Sequence, residues 1–373
     1  MTRILAVFLV CGLAAGQARG QAPRGGTKTK NVVLVVSDGL RWQEVFRGVD
    51  PELLNKTNGG VADPTSLKAE FARPTPVESR SALFPFLWGK VGNEGQLLGD
   101  ADHGAAGVVT NGKNFSYPGY NELFTGWPDP RIDSNDKVQN PNATVFEWLA
   151  GRPGLEGRVA AYGSWDVFPF ILRRGRSGIH VVAGWESLQG GLLSQGEKLL
   201  DQVIGSTHRI WESCCFDAFT SMSALEYLKR EHPRVLFIGL GETDEFAHEG
   251  RYDHYLHSAH RADASLKRLW EALQAMPEYR DSTTLLVTVD HGRGDAPVEW
   301  KSHGAKVKGS ERVWLAAIGP DTEALGARAG VTFTQSQIAA TMAALLGLDY
   351  RASVPKAAPP IEDLLPRMKP HGR

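Results

Sequence analysis

Residues 31–38 read NVVLVVSD, an unbroken apolar run that ends on a serine and an aspartate. A strand with one face in water alternates apolar and polar residues. A run of β-branched residues without alternation belongs to a strand covered on both faces. The same type recurs at GVVTN (107–111), RVAAYGS (158–164), HVVAG (180–184), RVLFIGL (234–240), TTLLVTVD (283–290) and RVWLAAIG (312–319). Helical patterns lie between these runs: TSLKAEFA (65–72), RSALFPFLWG (80–89), TVFEWLA (144–150), SMSALEYLKREH (221–232), a long segment over 254–276, and QSQIAATMAALLG (335–347). This alternation predicts an α/β fold, a three-layer sandwich with a mostly parallel central sheet and helices on both faces. No internal repeat interrupts it, and residues 31–373 read as a single domain. Long Gly/Pro-rich loops over 94–106, 126–142 and 292–311 stand out, and loops of that length are often functional.

The chain has 373 residues, with 41 Lys and Arg against 42 Asp and Glu. That balance disfavours nucleic acid as a general partner. Residues 1–18 combine Arg3, the apolar stretch 4–15 and small residues around Gly16-Gln17-Ala18, and read as a signal peptide; residues 19–30 read as a flexible linker. The protein is thus expected to be exported, periplasmic or secreted, with no membrane span in the mature chain. Cys214 and Cys215 are adjacent, cannot easily pair, and read as small buried hydrophobes.

In an open α/β sheet, ligands bind beyond the carboxyl ends of the strands. Three strand ends each deliver an aspartate: Asp38, Asp244 and Asp290. His248 follows Asp244 by four residues, on the same face of a helix. His291 follows Asp290 directly, which requires a bend that Gly292 permits, and His303 comes from the next loop, ahead of Gly304. Mixed Asp and His donors suit zinc or manganese. Asp38 by itself reads equally well as a helix cap, and Ser116 by itself as an ordinary N-cap. His254, His257 and His260, with Asp253 and Asp263, read as a solvated helix face.

Taken in order, VVSDGLRWQEVF (35–46), FSYPGYNELFTG (115–126), GETDEFAHEG (241–250), VDHGRG (289–294) and SHG (302–304) resemble the alkaline phosphatase superfamily, with its nucleotide pyrophosphatase/phosphodiesterase-like and cofactor-independent phosphoglycerate mutase-like metalloenzymes. The resemblance implies an alkaline phosphatase-like fold and two divalent metal ions, zinc or alternatively manganese. Asp38, Ser116, Asp290 and His291 would hold one ion; Asp244, His248 and His303 would hold the other. Ser116 falls at the nucleophile's place. Asn135, and less directly Lys113, would bind the substrate's phosphoryl oxygens. The implied activity is hydrolysis of a small-molecule phosphate mono- or diester through a covalent seryl intermediate.

The alternatives in the same superfamily are a sulfate- or phosphonate-ester hydrolase and a mutase-like phosphotransferase; a metal-binding protein without turnover is the alternative outside enzymes. Tyr120 stands where formylglycine sulfatases carry arginine, and the interval from Ser116 to Asp244 is too short for the inserted domain of the mutases. Trp42, Trp88, Trp127, Trp165 and Trp300 are candidates for substrate stacking, although each is more often packing. Asn114-Phe115-Ser116 forms a glycosylation sequon, and a glycan there would crowd Ser116.

Overall fold

The structure is a computed structural model that describes residues 26–188 and 190–366. The expected signal peptide and most of the expected linker lie outside the described residues. The last linker residues are not loose. The backbone amides of Lys28 and Thr29 donate to the Asp321 carboxylate at 3.0 and 2.7 Å, and the Thr29 hydroxyl lies 2.7 Å from that of Thr284.

Eleven strands are described: β1 (Asn31–Ser37), β2 (Gln96–Leu98), β3 (Ala106–Val108), β4 (Val159–Gly163), β5 (His180–Ala183), β6 (Val235–Leu240), β7 (Thr283–Thr288), β8 (Arg312–Val313), β9 (Leu315–Ile318), β10 (Gly326–Ala327) and β11 (Thr332–Thr334). Eight of them form one sheet in the order β10-β2-β9-β7-β1-β6-β4-β5. β7, β1, β6, β4 and β5 run parallel, and β1 pairs with β6 from Val32 opposite Val235 to Ser37 opposite Leu240. Every residue of β1, β4, β6 and β7 is buried, as expected of continuous apolar runs between two helical layers.

Two of the expected sheet strands do not behave as read. GVVTN contributes β3 to a separate three-stranded sheet, β11-β3-β8. RVWLAAIG breaks at Trp314, which divides β8 from β9; the Trp314 indole donates to the Leu40 carbonyl, and its own carbonyl accepts from Thr288 Oγ1. β9 is antiparallel to both β7 and β2. The reason lies in the connection. Between β7 and β8 the only helical turn is the three-residue Glu299–Lys301, too little for the crossover that a parallel neighbour needs. β2 itself is hidden in a loop-like stretch of the sequence.

The predicted helices form with shifted ends. The pattern over 80–89 splits because Pro85 ends the helix Pro76–Leu83 and a separate turn, Leu87–Val91, follows. Asp263, expected in water, is buried and accepts the Phe86 and Leu87 amides at 2.7 and 2.8 Å. Asp253 is likewise buried and accepts the Ala62 amide. The histidine face of helix Tyr252–Ala275 is half-buried rather than solvated: His260 bonds the Leu83 carbonyl and His257 bonds Glu70. Cys214 and Cys215 are buried and free, as expected.

The helix Ser116–Thr125 is buried along its whole length. It packs so closely on the strand end after β7 that a Cβ on Gly119 would meet the Asp290 carbonyl at 2.4 Å. Gly119→Ala is therefore expected to cost about 1–3 kcal/mol through overpacking, read as a lower urea midpoint at unchanged slope.

Candidate active site

Asp38, Asp244 and Asp290 stand beyond the ends of β1, β6 and β7, three adjacent strands of one sheet. Three carboxylates are thereby forced together. His291 Nε2 lies 3.2 Å from Asp38 Oδ1, 3.4 Å from Asp290 Oδ2 and 4.0 Å from Asp244 Oδ1. Asp290 and His291 thus converge although they are consecutive. Gly292 serves this differently from expectation. It is not among the positive-φ glycines; its missing side chain admits the carbonyls of Arg312 and Gly309, which a Cβ would meet at 2.3 and 2.7 Å. Gly39 does take a left-handed φ of 60° and donates its amide to Asp290 Oδ1 at 3.2 Å.

The second group follows from the short helix Glu242–His248. One helical turn sets His248 Nε2 3.1 Å from Asp244 Oδ2, and His303 Nε2 completes the group 3.0 Å from His248 Nε2. Asp38, Asp244 and His291 form one candidate metal-holding set, and Asp244, His248 and His303 another. Asp244 belongs to both.

The ring nitrogens are set for ligation. Nδ1 of His291 lies 2.9 Å from the Gly292 carbonyl, and Nδ1 of His303 lies 3.3 Å from the Asn114 carbonyl. A carbonyl only accepts, so each Nδ1 carries a proton and each Nε2 is the nitrogen turned inward, where a cation would be held. Burial, then the neighbouring His291, pushes His303 down to about 2, so its ring is neutral. Asp38 Oδ1 and Asp290 Oδ2 are buried with no hydrogen-bond partner among the described residues. Burial, then the nearby Asp244 charge, raises Asp38; burial, then Asp38, raises Asp290. Orphaned carboxylate oxygens facing inward-turned nitrogens are the donor set of borderline-hard divalent cations, and the residues fit such ions.

Ser116 is the first residue of its helix. The N-cap is Phe115, which makes no side-chain cap bond, so the ordinary-cap reading of Ser116 does not hold. Its Oγ instead lies 3.3 Å from His291 Nε2. Asp38 caps no helix either; its Oδ2 accepts from Tyr120 at 3.3 Å. Asn135 reaches the same helix end, where its Oδ1 accepts the Tyr117 amide at 2.9 Å and leaves the Nδ2 group as a donor. Lys113 shares the loop before Ser116, and its ammonium has no hydrogen-bond or ion-pair partner among the described residues. Asn114 of the sequon is only 7% exposed and its amide faces Ser310, so the folded chain offers no room there for a glycan. Trp42 and Trp300 are buried packing residues, not stacking platforms.

Several supporting residues escaped the sequence reading. Arg293 is buried and donates to Asp244 Oδ1, to the Trp300 carbonyl and to the Lys301 carbonyl. Burial works against charge on Asp244, yet Arg293 and the adjacent histidines hold its carboxyl well below the usual range. Glu122, fully buried, accepts from the Thr110 amide and hydroxyl, the Asn111 amide and the Ser336 hydroxyl, which anchors the loop ahead of Ser116. Asp217 accepts the Gly241 and Glu242 amides at 2.7 and 3.2 Å and so fixes the start of the Asp244 helix. Arg293 lies inside the quoted VDHGRG, but its partner is remote in sequence and spacing is silent about it.

Residues 218–350 match the family model described as Metalloenzyme superfamily. Wild-type alkaline phosphatase PafA shares the fold at a TM-score of 0.59 with 10% identity, covering 92% of this chain and 100% of that one. A protein of the alkaline phosphatase superfamily from Vibrio parahaemolyticus superposes at 0.52 with 14% identity, covering 94% of this chain and 73% of that one. The chain thus has the alkaline phosphatase-like fold, and its residues 218–350 are similar to the metalloenzyme superfamily. Part of the chain also matches a 2,3-bisphosphoglycerate-independent phosphoglycerate mutase from Gracilaria tenuistipitata var. liui, 30% identical over 73 residues. That match spans 20% of this chain and 13% of the mutase. Among the described residues no helix is long and apolar enough to cross a membrane.

Arg293→Leu would leave Asp244 without its buried cation. The expected loss is about 3 kcal/mol, measured by urea unfolding in the presence of chelator. An unchanged midpoint would show that Asp244 does not depend on Arg293.

Proposed function

We propose that this superfamily metalloenzyme is an exported hydrolase of small-molecule phosphate esters that works through a covalent intermediate on Ser116. The observation that carries the reading is the placement of Ser116 Oγ at a helix N-terminus, 3.3 Å from His291 Nε2 and beside the aspartate cluster. Asp38, Ser116, Asp290 and His291 would hold one divalent ion, and Asp244, His248 and His303 a second, zinc or manganese. When bound, such ions supply Lewis-acid stabilisation and favour an ionised serine.

The chain's own residues supply the rest. The helix N-terminus favours negative charge on Ser116 Oγ and on the bound phosphoryl group. Ser116 Oγ attacks phosphorus, the bond to the ester oxygen breaks, and the alcohol leaves after gaining a proton. Water then cleaves the seryl ester, restoring the serine hydroxyl and, for a monoester, releasing inorganic phosphate. Asn135 would donate from Nδ2 to an equatorial oxygen, with its Oδ1 already held by the Tyr117 amide. Lys113 would add positive charge from the loop before Ser116.

The expected outcome is hydrolysis of nitrophenyl phosphate or bis-nitrophenyl phosphate, lost on chelation and restored by Zn²⁺ or Mn²⁺, with nitrophenyl sulfate a poor substrate. Ser116→Ala should fall to background while metal content by atomic absorption stays the same. Full activity in that variant would end the mechanism. Asp244→Ala should lose one of two bound ions, and retention of both would overturn the ligand assignment.

A further inference from the structure

The two candidate metal-holding sets share Asp244 but otherwise hang on different parts of the chain, Asp38 beyond β1 and His248 on the helix that follows β6. Their spacing therefore depends on how the chain beyond β1 is tied to the chain beyond β6. The ladder between the two strands stops at Ser37 opposite Leu240. The Asp38 amide adds one more bond, to the Leu240 carbonyl at 2.9 Å. Past that point a side chain takes over. Thr243, the residue before Asp244, is fully buried, and its Oγ1 lies 2.6 Å from the Asp38 carbonyl oxygen and 3.1 Å from Ser37 Oγ. A carbonyl only accepts, so the Thr243 hydroxyl directs its one proton to Asp38 and accepts the proton of Ser37. It is the partner of the Asp38 carbonyl among the described residues.

The same peptide unit is held at its other end. The Gly39 amide donates to Asp290 Oδ1 at 3.2 Å. The Asp38–Gly39 peptide thus bridges the helix that carries Asp244 and the strand end that carries Asp290. Gly39 gives this bridge no stiffness of its own, because its left-handed φ of 60° is a conformation that glycine enters freely. Glycine is nonetheless required there, since a Cβ would meet Asp244 Oδ1 at 2.7 Å. A peptide that runs into a glycine turns easily unless both its ends are tied. The Asp290 carboxylate ties the N–H end, and the Thr243 hydroxyl ties the carbonyl end. Rotation of this one peptide would move the Asp38 side chain, withdraw the amide from Asp290 and shift the backbone that lies against Asp244.

We propose that Thr243 is a positioning residue: by pinning the Asp38–Gly39 peptide it sets the spacing of the two metal-holding sets. The proposal rests on the ligand assignment above. The test is zinc titration calorimetry on the chelator-stripped native protein, on Thr243→Val and on Thr243→Ser, with urea unfolding in chelator as the control. Valine keeps the shape of threonine and removes the hydroxyl, whereas serine keeps the hydroxyl. In Thr243→Val at least one of the two zinc ions should bind about tenfold more weakly, as when a metal ligand loses the partner behind it. Thr243→Ser should restore native affinity. A residue that only stabilised the fold would lower the urea midpoint of Thr243→Val and leave its zinc binding native. That result overturns the proposal, and so does a serine variant as weak as the valine one. If Thr243→Val does not fold, Ser37→Ala decides, because it removes only the outer hydroxyl of the chain. Zinc should then bind about fivefold more weakly, the worth of one neutral hydrogen bond, and native affinity overturns the proposal. Fewer than two zinc ions on the native protein would overturn the ligand assignment and this proposal together, a failure visible before any variant is made.

Discussion

Three carboxylates at the ends of three neighbouring strands repel one another, and burial makes each costlier to ionise. Asp38, Asp244 and Asp290 are held in that arrangement by the backbone itself, because β7, β1 and β6 are adjacent and parallel. The surrounding structure supplies the compensation in parts. Arg293 answers Asp244, Tyr120 donates to Asp38, and the Gly39 amide donates to Asp290. Two carboxylate oxygens are left over, facing histidine nitrogens whose protons lie on the far side of the rings. A site balanced in this way favours divalent cations without any excess of basic residues in the chain.

The loop that carries Asp290, His291 and His303 is correspondingly stiff. Its backbone closes on itself through Gly292 to Ser310, Gly294 to Ser302 and Asp295 to Lys308. Buried Arg41, paired with Glu44, reaches the Gly294 carbonyl, and Tyr252 and Tyr255 hold Glu44 in turn. Such support fixes ligand geometry in advance of any ion, as a preorganised site requires. Ser116 is held from the opposite side, by the Glu122 anchor and by the tight seating of Gly119.

Much of this was legible beforehand, and the limits are instructive. The strand-end aspartates could be read because a continuous apolar run announces where a buried strand stops. The pairing of Asp244 with His248 followed from helical spacing. GVVTN failed as a strand of the main sheet because an apolar run of that length specifies burial but not which sheet covers it. The direction of β9 failed because it depends on the missing crossover, not on the apolar run itself. The half-buried histidines of helix Tyr252–Ala275 failed because the helices that cover them are distant in sequence.

The sequence by itself determined the α/β architecture, the row of strand-end acids and their resemblance to a known superfamily, since each is written in local runs and short spacings. Tertiary structure alone decided which acids share a ligand, that Arg293 rather than solvent answers Asp244, and how the charged side chains beyond β4 and β5 pair. Those outcomes join Lys137 to Asp166, Arg174 to Glu186 and Arg293 to Asp244. Such pairs are chosen by where the folded elements stop in space, which no spacing along the chain records.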